Sequence, residues 1–381
     1  MKKSQWTVGS GQWAVMTRVA RPAPSTAHCP LPTAYSRPGV TLIELLITMA
    51  IMAIISAAIL GTASSAMEAA RRDRTRVLVT KIGNLITERL ASYETRRADV
   101  YPAITQAIDT WANDPGLTPA DRANRQSPRG QMIADARLLA ARELMKMEMP
   151  DRGDDIEYYR ANPPVVLQAI SSPMQGYIRR YTPAQAAERD AAECLYMTVM
   201  ATTADGEART LFAKQDIGDT DEDGAPEFID GWGQAIDWIR WPSGVVSDLQ
   251  PRDAGGLRVD HDPIDAYRRD LTTITGPAID AYPTDANFRG TYKDNIRDRL
   301  VGTAPLGRKQ AFRMVPLIYS KGPDGEPGMV RAKSADVAPL DPYAIFDHNG
   351  DAGTVQCQAG EVDPDRAVEV KDNITNHLIE Y

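Results

Sequence analysis

Between Leu45 and Met67 the chain runs for 23 residues without a charged side chain, LLITMAIMAIISAAILGTASSAM. As an α-helix this stretch would extend about 35 Å, enough for a bilayer hydrocarbon core of about 30 Å. It is longer than the apolar region of about 7–15 residues in a secretory signal peptide. A simple signal anchor and a buried core helix are the two plain readings of such a run. Whichever holds, the segment must be helical and must shield its apolar surface from water.

Two details upstream separate this run from a simple anchor. A lone carboxylate, Glu44, stands inside VTLIELLITM. An acidic side chain near the centre of a membrane helix costs about 2.5–3.5 kcal/mol on insertion scales, so it calls for a partner. Gly39 directly precedes Val40, with Arg37 just before it. A cut after Gly39 would create an amino group at Val40, one helical turn from Glu44 and on the same face. In a low dielectric that pair would help satisfy both charges, within one chain or between neighbours.

The residues Gly39-Val40-Thr41-Leu42-Ile43-Glu44-Leu45 resemble the prepilin cleavage and methylation motif G-F-T-L-I-E-L of type IV pilins and type II secretion pseudopilins. The resemblance implies a cut between Gly39 and Val40 by prepilin peptidase and N-methylation of Val40. It implies that Glu44, the fifth residue of the processed chain, pairs with the N-terminus of a neighbouring subunit during assembly. Val40 stands where the family usually has Phe, and the 39-residue leader is long for the family; a start at Met16 would leave 24 residues. Charge alone leaves orientation open, because Arg37 precedes the span and Arg71, Arg72, Arg74 and Arg76 follow it. The resemblance implies leader in the cytoplasm, a single pass through the inner membrane, and the head in the periplasm.

Beyond the span, Leu78, Ile82, Ile86, Leu90 and Tyr93 recur at spacings of three and four. The spacing predicts one helix from about Val40 to Arg97, with Gly83 its one breaker after the span. A helical hairpin broken near Gly61-Thr62-Ala63-Ser64-Ser65 is the alternative, since a small-residue stretch can also be a bend. The sequence thus divides into a leader (1–39), a long helix (40–97), a helical part of the head (98–210), and a sheet-and-loop part (211–381). Asp114-Pro115-Gly116 and Ser127-Pro128-Arg129-Gly130 read as turns, and Gln131 to Met149 as a helix. Thr182-Pro183-Ala184-Gln185 has the pattern of a capped helix start. Strand patterns occur at Ala235 to Trp241, Phe312 to Tyr319 and Tyr343 to Phe346. Residues 244–300, rich in Asp and Arg, read as a long solvated insertion. The fold class expected is α+β, a pilin-like head with extra helices and a small antiparallel sheet behind a long N-terminal helix.

Charge separates the leader from the body. Residues 1–39 carry five basic and no acidic residues, whereas the other 342 carry 38 basic and 51 acidic, a net of −13. An acidic body is a poor partner for phosphate backbones, so no nucleic acid is expected. Dense carboxylates suit hard cations. The segment from Asp219 to Asp230, DTDEDGAPEFID, follows the calcium-loop pattern D-x-D-x-D-G. Asp219, Asp221 and Asp223 stand at positions one, three and five, with Glu227 at nine and Asp230 at twelve. A solvated acidic turn is the alternative.

Two later segments extend the resemblance. Phe228-Ile229-Asp230-Gly231-Trp232-Gly233-Gln234 is similar to the D-P-W-G-N-P-Y segment of major pseudopilins, and Ser320-Lys321-Gly322-Pro323-Asp324-Gly325 to their S-x-G-x-D-G loop. The second implies calcium held by Asp324 and by a later Asp, for which Asp372 in Asp372-Asn373-Ile374 is the nearest analogue; Asp347, Asn349 and Asp351 are the alternative. Of the three cysteines, Cys194 and Cys357 could form one disulfide in an oxidising envelope or remain separate buried thiols. The four histidines form no H-E-x-x-H, and no G-x-S-x-G or Walker A loop occurs, so no enzyme is expected. His377 reads as a polar tail residue. The function implied is a structural subunit of a pseudopilus or type IV pilus-like filament, assembled with like or related subunits. A membrane-anchored envelope protein with a calcium-stabilised binding head is the competing class.

Overall fold

The computed structural model describes residues 39–181, 190–202, 210–253, 259–269, 311–331, 340–348 and 355–377. Its longest element is α1, Leu42–Thr95, helical throughout its 54 residues. Gly61 does not interrupt it, because the flanking run is rich in Ala, Ile and Met and only single glycines intrude. The chain divides into two units between Gly61 and Thr62. From Gly39 to Met67 every residue is exposed. In the second unit the pattern reverses: Thr75, Leu78, Val79, Ile82, Gly83, Ile86, Leu90 and Tyr93 are buried. These positions form one stripe of a 3.6-residue period, and all five apolar positions expected from the spacing lie on it.

Five further helices follow among the described residues: α2 (Pro102–Ala112), α3 (Pro119–Glu148), α4 (Gly153–Ala161), α5 (Ser172–Arg180) and α6 (Asp190–Thr202). The expected turn at Asp114-Pro115-Gly116 is present, closed by Gly116 N–H donating to Asp114 Oδ1 at 2.8 Å. The expected turn at Ser127–Gly130 is not: Pro128 lies inside α3. Thr118 caps that helix by accepting from Asp121 N–H, and Pro119 fills the first turn, so the helix begins twelve residues earlier than the periodicity of Gln131–Met149 suggests. Pro128 costs one backbone hydrogen bond, and burial of Met132, Ala136 and Leu139 on the same helix outweighs it. The expected start at Thr182 lies outside the described residues.

Among the described residues seven short strands form three antiparallel sheets: β1 (Ile217–Gly218) with β2 (Glu227–Phe228); β3 (Asp237–Ile239), β4 (Leu317–Ser320) and β7 (Ile374–Thr375) in the order β3-β4-β7; and β5 (Ile345–Asp347) with β6 (Gln356–Gln358). The β3–β4 register sets Trp238 opposite Ile318 and Ile239 opposite Leu317. Trp238 and Ile318 join the main core with α1 and the helices, whereas Ile239, Leu317 and Tyr319 form a second core with Val245, Met329 and Val370. Alternation along a strand therefore places apolar side chains on both faces of the central sheet. Chain and sheet meet again at Gly83, where Asn376 packs so closely that an added Cβ would stand 3.0 Å from its own Cβ. Asn376 there extends the β4–β7 pairing with its side chain, accepting from Ile318 N–H at 2.7 Å and donating to Pro316 O at 3.0 Å.

Buried charges tie the helices to one another. Glu143 accepts three backbone N–H groups, from Val165, Val166 and Leu167, at 2.6–2.9 Å. Glu148 accepts from Tyr93 Oη at 2.7 Å and from both terminal nitrogens of Arg96, which fastens the end of α3 to the end of α1. Arg240, after β3, reaches Asp151 at 3.2 Å and Asp155 at 2.9 Å, and Lys146 meets Asp155 at 3.0 Å. Burial by itself would raise the Asp151 carboxyl, but Arg240, Arg152 and Arg331 hold it well below the usual carboxylate range.

The cysteines take the second of their two readings, and two expectations change. Cys194 sits in the main core and Cys357 in a small cluster with Val330 and Phe346, and both are free thiols. The described parts of 244–300 are not uniformly solvated. Val245, Ser247, Gln250, Asp262 and Asp265 are buried, because Gln250 bonds three backbone groups and Asp262 accepts from Tyr343 Oη. His377 is buried between Ser247 Oγ at 2.8 Å and Pro316 O at 3.2 Å, and burial lowers its pKa.

Ile82 is fully buried and Ile51 is half exposed. Ile82→Ala is expected to cost the head about 2–5 kcal/mol in denaturant unfolding of the detergent-solubilised chain, and Ile51→Ala to leave that transition unchanged. Equal effects of the two substitutions would contradict the division of the helix.

Candidate functional site

The N-terminal site is built on the first turn of α1. Thr41 N–H and Oγ1 both donate to Glu44 Oε2, at 2.9 and 3.0 Å, and Glu44 N–H points back to Thr41 Oγ1 at 3.3 Å. This is a reciprocal capping box, T-x-x-E, with Thr41 at the N-cap. The expectation treated Glu44 only as a charge in search of an amine. The same threonine, read as a cap, would have identified its partner in the uncut chain. Gly39 and Val40 are exposed ahead of the helix, and nothing lies within 4 Å of a Cβ built on Gly39. The peptide bond between them is therefore open to a protease. An apolar window of mean hydropathy 2.5 within α1, with none of it buried, makes this helix long and apolar enough to cross a membrane.

Residues 36–60 match the family model of the prokaryotic N-terminal methylation motif. This is a type IV pilin-like N-terminus. The match covers the processing site and the apolar half of α1, and it implies processing by prepilin peptidase and assembly with pilin-like subunits. No curated protein and no solved structure matches the chain.

The head meets α1 through the segment Asp230–Gln234. Gly231 N–H donates to Thr75 Oγ1 at 2.8 Å, and Trp232 Nε1–H to Glu68 Oε2 at 3.2 Å. A Cβ on Gly231 would stand 2.5 Å from the Arg71 carbonyl oxygen, so glycine is required where the pseudopilin segment carries proline. Asp230 organises this turn. Its Oδ1 accepts from the N–H groups of Trp232 and Gln234, and its Oδ2 from Ser320 Oγ at 2.6 Å.

The expected calcium loop is the connection of the β1–β2 hairpin. Gly224, at φ 93°, makes the turn that position six demands. The five carboxylates do not converge. Asp219 closes the loop by accepting from Asp223 and Gly224 N–H, at 3.1 and 2.9 Å. Glu227 is buried and accepts from Thr220 N–H and Oγ1. Asp230 belongs to the Ser320 junction. What does converge is Asp221 and Asp223 with Glu193 of α6, one carboxylate oxygen from each lying within 4.8 Å of the others. Glu193 was not legible in the loop pattern because it comes from a helix 26 residues before the loop begins. Asp221 Oδ1 is buried and accepts no hydrogen bond. Three hard oxygen donors and an orphaned acceptor fit a calcium ion.

The second expected pair does meet. The register of β4 with β7 sets Ser320 opposite Ile374, which brings the loop after β4 beside the residues before β7. A Cβ on Gly322, at φ 70°, would stand 2.8 Å from the Asp372 carbonyl and 2.9 Å from its carboxylate. Burial, and next the negative charge of Asp324, raise the Asp372 carboxyl above its ordinary value, and its Oδ1 is buried without a hydrogen bond. Asn349 and Asp351, the alternative ligands, lie outside the described residues, and Asp347 is the last residue of β5.

A carboxyl whose folded-state pKa is raised contributes stability below its unfolded value and loses it as pH climbs through the folded value. Without a cation, the Asp324–Asp372 pair therefore weighs against the head at neutral pH. Asp372→Asn is expected to raise the melting temperature of the chelator-treated chain at pH 7 and to leave it little changed at pH 3. A lower melting temperature at pH 7 would refute the repulsion.

Proposed function

We propose that the chain is a pilin-like structural subunit of a pseudopilus or type IV pilus-like filament, anchored in the inner membrane by α1 before assembly, with its head in the periplasm. The single observation that carries this reading is the methylation motif at the start of an apolar helix that is exposed through Met67. A helix of that composition needs lipid or the apolar helices of other subunits around it. Processing frees the Val40 amino group next to Glu44. Glu44 then exchanges its Thr41 partner for that of an incoming subunit's N-terminus, which would offset the cost of carrying a carboxylate into the apolar layer. The head contributes contacts rather than catalysis. In this reading calcium at Glu193, Asp221 and Asp223 and at Asp324 and Asp372 neutralises clustered carboxylates and sets the loop surfaces that neighbouring subunits meet.

Mass spectrometry of the chain from its native membrane is expected to show an N-methylated Val40 terminus, and Gly39→Ala to leave the precursor uncut. Glu44→Ala should insert and be processed normally but fail to enter filaments. An unprocessed wild-type chain would favour the anchored envelope protein instead. For the metal, calcium is expected to raise the melting temperature of the wild-type chain and to raise it less in Asp221→Asn and in Asp372→Asn. An equal rise in all three would remove calcium from both sites.

A further inference from the structure

Four arginines follow the apolar run of α1 within nine residues of Met67: Arg71, Arg72, Arg74 and Arg76. At 1.5 Å per residue they stand from about 6 to about 14 Å beyond Met67 along the helix. The headgroup layer on each side of a bilayer is about 5–8 Å thick, so Arg71 and Arg72 stand at its depth and Arg74 and Arg76 just above it. Direction matters as much as level. Every Cα–Cβ bond of an α-helix tilts toward the helix N-terminus, which here is the end that carries the apolar run. Long side chains on this turn therefore lean back toward that run. Arg72 meets Glu68, four residues back, at 3.3 Å, and Arg76 approaches Asp73 at 3.6 Å.

The four arginines are not equivalent. Arg74 belongs to the head, where its guanidinium donates to the Gln215 carbonyl and to Asp216 Oδ1. Arg71 is exposed and has no ion-pair partner among the described residues. The side chains of Arg72 and Arg76 are 53% and 68% exposed, and they pair with carboxylates of their own helix. Exposed pairs of this kind contribute little. The charge of Arg72 also reaches Asp372, where it opposes the upward shift of that carboxyl. The head adds an aromatic ring at the same level. Trp232 is partly buried and donates from Nε1 to Glu68 Oε2, so Glu68, the first charge after the run, is shared between Trp232 and Arg72. Trp and Arg at the end of an apolar helix are anchors of the membrane–water boundary, Trp through its amphipathic ring and Arg through its fork of donors.

We propose that Arg71, Arg72 and Arg76, with Trp232, form a collar that binds the headgroups of anionic phospholipids at the surface of the bilayer that α1 crosses. The collar seats the head against that surface before assembly. The inference rests on the reading of α1 as a membrane anchor. A guanidinium can bond a lipid phosphate through two parallel N–H groups, a stronger contact than the exposed pairs with Glu68 and Asp73 that it replaces.

The test places the full-length chain in bilayer discs of phosphatidylcholine at low salt and compares its affinity for spin-labelled phosphatidylglycerol with that for spin-labelled phosphatidylcholine. The wild-type chain is expected to prefer the anionic lipid. The triple variant Arg71→Gln, Arg72→Gln, Arg76→Gln, changed at exposed positions, is expected to lower that preference by about threefold or more. The basic leader is the same in both chains, so the difference between them reads the collar. Raising the salt to about 0.5 M is expected to narrow the difference, because exposed charges are then screened. No preference in the wild-type chain, or the same preference in the triple variant, would overturn the proposal. The second result together with weaker self-association of the triple variant in phosphatidylcholine alone would assign the arginines to a second copy of the chain. A chain that does not enter the discs would remove the anchoring reading as well, whereas one that enters without preference removes the collar alone.

Discussion

The stripe of α1 from Thr75 to Tyr93 is the surface on which the rest of the head depends. It is apolar on one side, interrupted by a single glycine, and belongs to one core with residues of α2 to α6 and of the central sheet. Each neighbour reaches it by a different device. Asn376 uses the space at Gly83, the Asp230–Gln234 turn uses the space at Gly231, and Glu148 uses the hydroxyl of Tyr93 and the fork of Arg96. Burying such a stripe stabilises by roughly 25 cal/mol per Å² removed from water. From Leu45 to Met67 the helix carries no charged side chain on any face, and beyond Thr75 one face is apolar.

Carboxylates in the head organise backbone or stand beside one another, and Asp223, which also accepts from Ala225 N–H at 2.7 Å, does both. Glu143, Glu227, Asp219 and Asp230 accept N–H or hydroxyl groups and hold loops in place. Glu193, Asp221 and Asp223 face one another, as do Asp324 and Asp372. Like charges brought together in a folded head weigh against it unless a cation intervenes. This distinction, rather than the density of acid, is what separates candidate ligands from structural acceptors.

Much of the site was legible from residues near in sequence. The turn at Gly224 and the stripe on α1 follow from spacing, the cleavage position at Gly39 is what the resemblance implies, and the Thr41–Glu44 cap emerged from the structure although its T-x-x-E pattern stands in the sequence. The failures share one cause. Pro128 suggests a turn because proline breaks isolated helices, yet a capped helix with a buried face tolerates it. The D-x-D-x-D-G spacing suggests five carboxylates on one ion, but Asp219, Asp223, Glu227 and Asp230 accept donors within the loop or at Ser320, and Asp221 and Asp223 meet a glutamate on α6. His377 was read as a tail residue, yet it is packed between Ser247 and Pro316.

By itself the sequence determined what depends on chain-local chemistry: a helix that needs an apolar surrounding, a processing motif at its start, an acidic body, and the period of the face that would be buried. Tertiary structure alone decided which charges meet. Asp372 lies 48 residues after Asp324, and the pairing of β4 with β7 brings them together. Cys194 and Cys357 stay apart because each belongs to a different core. Helical periodicity and capping act over one or two turns, within the reach of a sequence pattern. Electrostatic and ligand contacts act through space, and the fold sets those distances.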